Sequence, residues 1–213
     1  MAQIFPPWAN RLPYYLLLGA SAPPLVAIVT VWYFFSPQFT DVGYQPRQPV
    51  AFSHTLHAGE LNVDCRYCHA AVEVAAGASI PPTATCMKCH SLVARRSDAL
   101  VAVLDSLESG EPIRWIRVHK LPDYAYFDHG AHVRVGVGCA SCHGDVTRME
   151  EVRQVKPLSM SWCLDCHRNP GPSLVPLDQV TRVEPDRSSL GGAIGSSTTR
   201  AVAPPTDCSG CHR

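Results

Sequence analysis

Apolar and polar positions are spread very unevenly along the 213 residues. No charged residue occurs from Leu12 to Thr40, and Tyr14 to Phe35 is an almost unbroken apolar run of 22 residues. As a helix this run would be roughly 33 Å long, enough for a hydrocarbon core of about 30 Å. Aromatic residues gather at both ends (Tyr14 and Tyr15; Trp32 to Phe35), as interfacial belts do. Pro23-Pro24 predicts a kink, which a membrane helix tolerates where its neighbours satisfy the freed carbonyls. Ala20-Ser21-Ala22 resembles a signal-peptide cleavage site. Pro23 would follow that cut, however, and the apolar run continues well past it, so the segment reads as an uncleaved anchor.

Beyond the anchor the pattern fades. Leu92, Val93, Leu100, Val103, Leu104 and Leu107 recur at helical spacing and predict a helix over Ser91 to Leu107, stopped by Ser109-Gly110 and Pro112. The 37 residues from Pro170 to Thr206 are rich in Pro, Ser, Gly and Thr and have little apolar periodicity. A loop of that length is expected either to wrap a partner or to be disordered. The predicted class is therefore mostly irregular and α-helical.

Composition adds chemistry. The 18 basic and 18 acidic residues balance, which leaves no nucleic-acid footprint. There are ten cysteines, and every one lies in a C-x-x-C-H motif: Cys65/Cys68/His69, Cys86/Cys89/His90, Cys139/Cys142/His143, Cys163/Cys166/His167 and Cys208/Cys211/His212. Such a motif reads as a c-type haem attachment site, in which two thiols become thioethers and the following histidine ligates the iron. Paired C-x-x-C knuckles also bind zinc, and cysteines can form a disulfide framework. Neither alternative explains a histidine directly after the second cysteine five times. The motifs predict five covalently attached haem c groups.

Five histidines remain: His54, His57, His119, His129 and His132. A low-spin haem takes a second axial ligand, normally histidine or methionine, so the count matches five irons. Four of the five fall in a repeat. Phe52-x-His54-x-x-His57 precedes the first motif, and Phe127-x-His129-x-x-His132 precedes the third, with gaps of seven and six residues to the next cysteine. Each copy is followed by a second motif after a spacer of 16 or 19 residues. The chain thus reads as two dihaem modules, about 52–90 and 127–167, plus a fifth haem. His119 lies between the modules. Met160, three residues before Cys163, is either a thioether ligand that would raise its haem's potential or a gap-filling core residue.

The expected organisation is a cytoplasmic N-terminus over 1–13, a transmembrane anchor over 14–35 and a periplasmic haem domain over 36–213. Arg11 on the short leading side suits the cytoplasm. The haems point the same way, because c-type haem is attached outside the cytoplasm. The chain is expected in the cell's inner membrane as a single-pass protein.

Several segments carry a family likeness. They are Ile4-Phe5-Pro6-Pro7-Trp8-Ala9-Asn10, Gln48-Pro49-Val50-Ala51-Phe52-Ser53-His54, Ala58-Gly59-Glu60-Leu61, Ile80-Pro81-Pro82-Thr83, Val118 to Tyr124, and Trp162 to Arg168. With the haem count and the anchor, they resemble the pentahaem cytochrome c subunit of alternative complex III, a quinol-oxidising respiratory assembly. The likeness covers most of the chain and weakens from Pro170 to Thr206. It implies that quinol is oxidised in membrane subunits, and that electrons pass through an iron–sulfur subunit and these haems to a periplasmic electron carrier. Two other readings stay open. One is an anchored multihaem quinol dehydrogenase that oxidises quinol itself. The other is a multihaem reductase with an open iron, which the absence of a C-x-x-C-K motif and the spare histidine for every haem disfavour.

Overall fold

A computed structural model describes residues 4–35, 41–186 and 202–212. The chain divides into two units, Met1–Thr40 and Asp41–Arg213. The expected boundary between 35 and 36 abuts residues 36–40, which lie outside the described residues, as do residues 1–3 of the expected N-terminal segment.

In the first unit, a 3-10 turn, Pro7–Arg11, leads into helix α1, Leu12–Phe35. Its 24 residues span about 36 Å. The helix runs through Pro23 and Pro24 without interruption. Its leucines, isoleucine and valines are exposed all round, with no apolar stripe turned to a protein core. A helix apolar on every side is stable in lipid or among other helices rather than in water.

The second unit is built from short helices: α2 Cys65–Cys68, α3 Thr83–His90, α4 Val101–Ser109, α5 His129–Arg134, α6 Ala140–His143 and α7 Met160–Arg168. The described residues contain no β-strand, only isolated bridges at Ala125–His212 and Val137–Leu174. Every C-x-x-C-H motif sits on or at the edge of a helical turn, the fifth on a 3-10 turn, Cys208–Gly210. Three of these turns open with a side-chain cap, from Asp64, Ser159 and Asp207. Each cap satisfies an otherwise orphan N–H and is worth about 1 kcal/mol. The Asp64 carboxylate also holds Arg66 at 2.9 Å, and that hydrogen bond is the first cause lowering the Asp64 pKa to about 2.

Two expectations need correction. The helix predicted from Ser91 begins only at Val101, after a 3-10 turn capped by Ser97. Ala94 adopts a φ of 53°, in the left-handed region, which no helix can contain. Leu92 is accordingly 88% exposed. The C-terminal end is as expected, with Gly110 at φ 75° closing α4. The second correction concerns Pro170 onward. Residues up to 186 wrap no partner. They fold back on the chain itself, with Val175 and Val180 buried against Val133. Gly136, at φ 90°, lies so close to the Val175 carbonyl that a side chain would collide with it. The rest of that loop, 187–201, is outside the described residues.

The aliphatic core is thin. One cluster joins Val50, Leu100 and Val103, with Phe52, Met87 and Trp115 beside it, and the other joins Val133, Val175 and Val180. A unit of this size ordinarily buries far more apolar surface than two three-residue clusters supply.

The analysis of α1 generates one prediction. The full-length protein stays with membranes through high-salt and carbonate washing, and its N-terminal peptide remains detectable by mass spectrometry. Release by carbonate, or a mature terminus at Pro23, would contradict the anchor.

Candidate haem-binding site

The repeat seen in the sequence recurs as geometry. In the first copy, Phe52 stacks on His57 at 4.4 Å and meets His54 edge-on at 4.8 Å. In the second, Phe127 stacks on His132 at 4.5 Å and meets His129 edge-on at 4.7 Å. One phenylalanine therefore sets the orientation of two imidazoles in each copy. The copies differ in winding. The first is a π-helical segment, Thr55–Glu60, and the second is α5. The wider π-turn takes up the extra residue in the first copy's gap.

Each second histidine faces the histidine of the later motif in its module. His57 and His90 have ring centroids 6.0 Å apart, and His132 and His167 are 6.1 Å apart. His129 lies parallel to His143 at 6.3 Å, with 9° between the planes. Two imidazoles bound through Nε2 to opposite faces of one iron, each about 2 Å from the metal, have centroids about 6 Å apart. His119 approaches His143 at 4.4 Å edge-on, too close for that arrangement. His54 lies near His69 and His57, which together with burial push its imidazole down to about 4. No spare histidine contacts His212, whose ring neighbour is Tyr124 at 5.8 Å. Met160 is exposed at the start of α7.

Hydrogen bonding settles which nitrogen is free. Seven of the ten imidazoles place Nδ1 within 2.7–3.1 Å of a backbone carbonyl: His57 on Ser53, His69 on Ser79, His90 on Val93, His129 on Ala76, His132 on Asp128, His167 on Pro205 and His212 on Tyr124. A carbonyl only accepts, so each Nδ1 carries the proton and donates it, leaving Nε2 as a lone pair. Metal-bound histidines are oriented by this same outer bond. Nε2 of His119 is buried with no partner.

Electrostatics agree. Burial, then His119, His129 and His69, push the His143 imidazole down to about 3, so it is neutral at physiological pH. Burial, followed by neighbouring cysteines, raises the Cys139 and Cys142 thiols to about 11. Among the described residues no three His, Cys, Asp or Glu side chains converge to hold a bare metal ion. The C-x-x-C pairs are thus not assembled as tetrahedral zinc knuckles. The donor set instead fits haem c: thiol pairs one turn long, each beside a neutral imidazole with an available Nε2. Sequence spacing identified these donors. It missed the carbonyl acceptors, because most lie on segments far away along the chain.

Two family models match. "Cytochrome c7 and related cytochrome c" covers residues 125–213, and "Class III cytochrome C family" covers residues 36–106. The chain is also 32% identical over 127 residues to the menaquinone reductase, multiheme cytochrome c subunit, of Nitratidesulfovibrio vulgaris. That alignment takes in 59% of this chain, which spans 60% of the relative's length. The portion after the apolar helix therefore consists of multihaem cytochrome c domains, which bind c-type haem covalently and transfer electrons.

Proposed function

We propose that this chain is the five-haem electron-transfer subunit of a membrane complex that exchanges electrons with the quinone pool. The observation that carries the proposal is the duplicated Phe-His-His geometry, with imidazole pairs spaced for one iron. On this reading Cys65/Cys68, Cys86/Cys89, Cys139/Cys142, Cys163/Cys166 and Cys208/Cys211 form the thioethers, and the histidine after each pair ligates the iron. His54, His57, His129 and His132 are the second ligands opposite His69, His90, His143 and His167. His119 stands beside the third pair. Met160, three residues before Cys163, is the thioether candidate for the fifth iron. The arrangement amounts to two dihaem modules with a fifth haem appended, held by α1 in the inner membrane and facing the periplasm.

When bound, each haem supplies an iron that gains or loses one electron. The chain's residues define how. Nδ1–H bonds to carbonyls fix each ring's tautomer and strengthen Nε2 as a donor. Ligands on both faces leave no position for a substrate, so the subunit conducts electrons without making or breaking bonds. Bis-histidine ligation gives lower potentials than methionine would. Packing around the macrocycles supplements the thin aliphatic core. One membrane helix offers few walls for a quinone pocket, which assigns quinone chemistry to partner subunits.

Direction has two readings. The likeness to alternative complex III supports quinol oxidation, with electrons leaving through an iron–sulfur subunit and this chain to a periplasmic carrier. The relative named a menaquinone reductase subunit favours the reverse, from a periplasmic donor to menaquinone. The purified complex is expected to oxidise quinol while reducing a small periplasmic cytochrome or copper protein, and the isolated subunit is expected to exchange electrons yet fail to turn over quinol. Faster menaquinone reduction by a reduced periplasmic donor would select the second direction. Quinol turnover by the subunit alone at the complex's rate would instead support an anchored quinol dehydrogenase.

The ligand pairs generate a second test. His57→Ala and His132→Ala should each turn one of five haems high-spin and able to bind carbon monoxide, about a fifth of the haem absorbance. An unchanged spectrum in both variants would refute the pairing.

A further inference from the structure

The two Phe-His-His copies do not follow one another as beads on a string. The N–H of Gly130, one residue after His129, donates to the carbonyl of Ala75 at 3.1 Å. The N–H of Thr55, one residue after His54, donates to the carbonyl of Met149 at 3.3 Å. Ala75 lies six residues after His69, and Met149 lies six residues after His143. Equivalent positions thus exchange equivalent hydrogen bonds, as in an interface with two-fold symmetry. Such an exchange sets the modules head to head, with the first motif of each at the centre.

We infer, resting on the five-haem reading, that the attachment motifs follow one another in space in the order second, first, third, fourth, fifth, and that the second and fifth are the ends where partner redox groups meet the chain.

Each junction has its own bridge. Lys88, inside the second motif, places its Nζ 5.5 Å over the ring of Tyr67, inside the first. The first and third are strapped together by Val180 and Thr181: the Cys139 N–H donates to the Val180 carbonyl at 2.8 Å, and the Thr181 hydroxyl donates to Asp64, beside Cys65, at 3.0 Å. Ser173 joins the third to the fourth, accepting from the Gly138 N–H at 3.1 Å and lying 3.7 Å from the Cys166 thiol. A cavity of about 500 Å³ there is lined by Ser141 and Cys166 together. Between the fourth and fifth, His167 donates at 2.7 Å to the carbonyl of Pro205, against which Gly210 packs.

The thiols report the same neighbours. After burial, the chief charge acting on Cys68 is Cys86, on Cys139 it is Cys65, on Cys142 it is Cys166, and on Cys163 it is Cys211. Among the described residues, no hydrogen bond, ion pair or ring contact joins the second motif to the third, fourth or fifth. The ends are also the open places. Of the ten cysteines only Cys89, in the second motif, and Cys208, in the fifth, are exposed.

An electron cryomicroscopy map of the detergent-purified membrane complex tests the order without reference to activity. The expected nearest-neighbour irons are second–first, first–third, third–fourth and fourth–fifth, with the closest partner redox centre beside His90 or His212. Irons spaced in sequence order, or a partner centre nearest the first or third motif, would overturn the inference while leaving five haems intact. Fewer than five irons would refute the five-haem reading, and this inference with it.

Discussion

The hydrogen bond from histidine Nδ1 to a backbone carbonyl is the constraint on which the rest of this structure depends. Seven imidazoles make it. Each bond fixes a tautomer, aims Nε2, and anchors a helical turn that would otherwise be too short to hold its place. The acceptors show how the chain is knitted. His129 reaches back to Ala76, His167 forward to Pro205 and His212 back to Tyr124. The bonds that prepare a ring for iron are therefore also long-range tertiary contacts. Removing one would disturb both a ligand and a junction between segments.

That economy suits a domain with few buried aliphatic side chains. Val50, Leu100 and Val103 hold one edge, and Val133, Val175 and Val180 another. Between them the polypeptide is mostly turns, and its polar groups are tied by backbone bonds rather than by apolar burial. Covalent haem would add macrocycle surface where side chains are scarce, and each thioether pair would cross-link a turn to it. Stability and redox capacity are then properties of the same contacts. This explains why caps such as Asp64, Ser159 and Asp207 stand directly before attachment motifs rather than on long helices.

Much of the candidate site was legible in the sequence because its chemistry is local. Cys-x-x-Cys-His places both thiols and an imidazole within one turn, and Phe-x-His-x-x-His places a ring between two others. The anchor was legible for the same reason, as an uninterrupted apolar run. The fold was less so. Leu92 and Val93 matched a helical period, but Ala94 in the left-handed region breaks the turn ahead of the Ser97 cap. Val175 and Val180 sat in a stretch that looked featureless, since their partners Val133 and Gly136 are distant in sequence. The head-to-head arrangement was invisible for a related reason. Spacing reports which motifs are adjacent along the chain, whereas the exchange between Gly130 and Ala75, and between Thr55 and Met149, decides which are adjacent in space. Equal numbers of spare histidines and motifs likewise hid an uneven distribution, with His119 and His129 both beside His143 and none at His212.

The central claim is that all ten cysteines serve five haems, and the intact mass of the purified holoprotein tests it most directly. Thioether bonds survive denaturation, so the mass measured in denaturing solvent should equal the polypeptide plus five haem groups. A mass corresponding to four or fewer, or bound zinc lost on denaturation, would contradict the account.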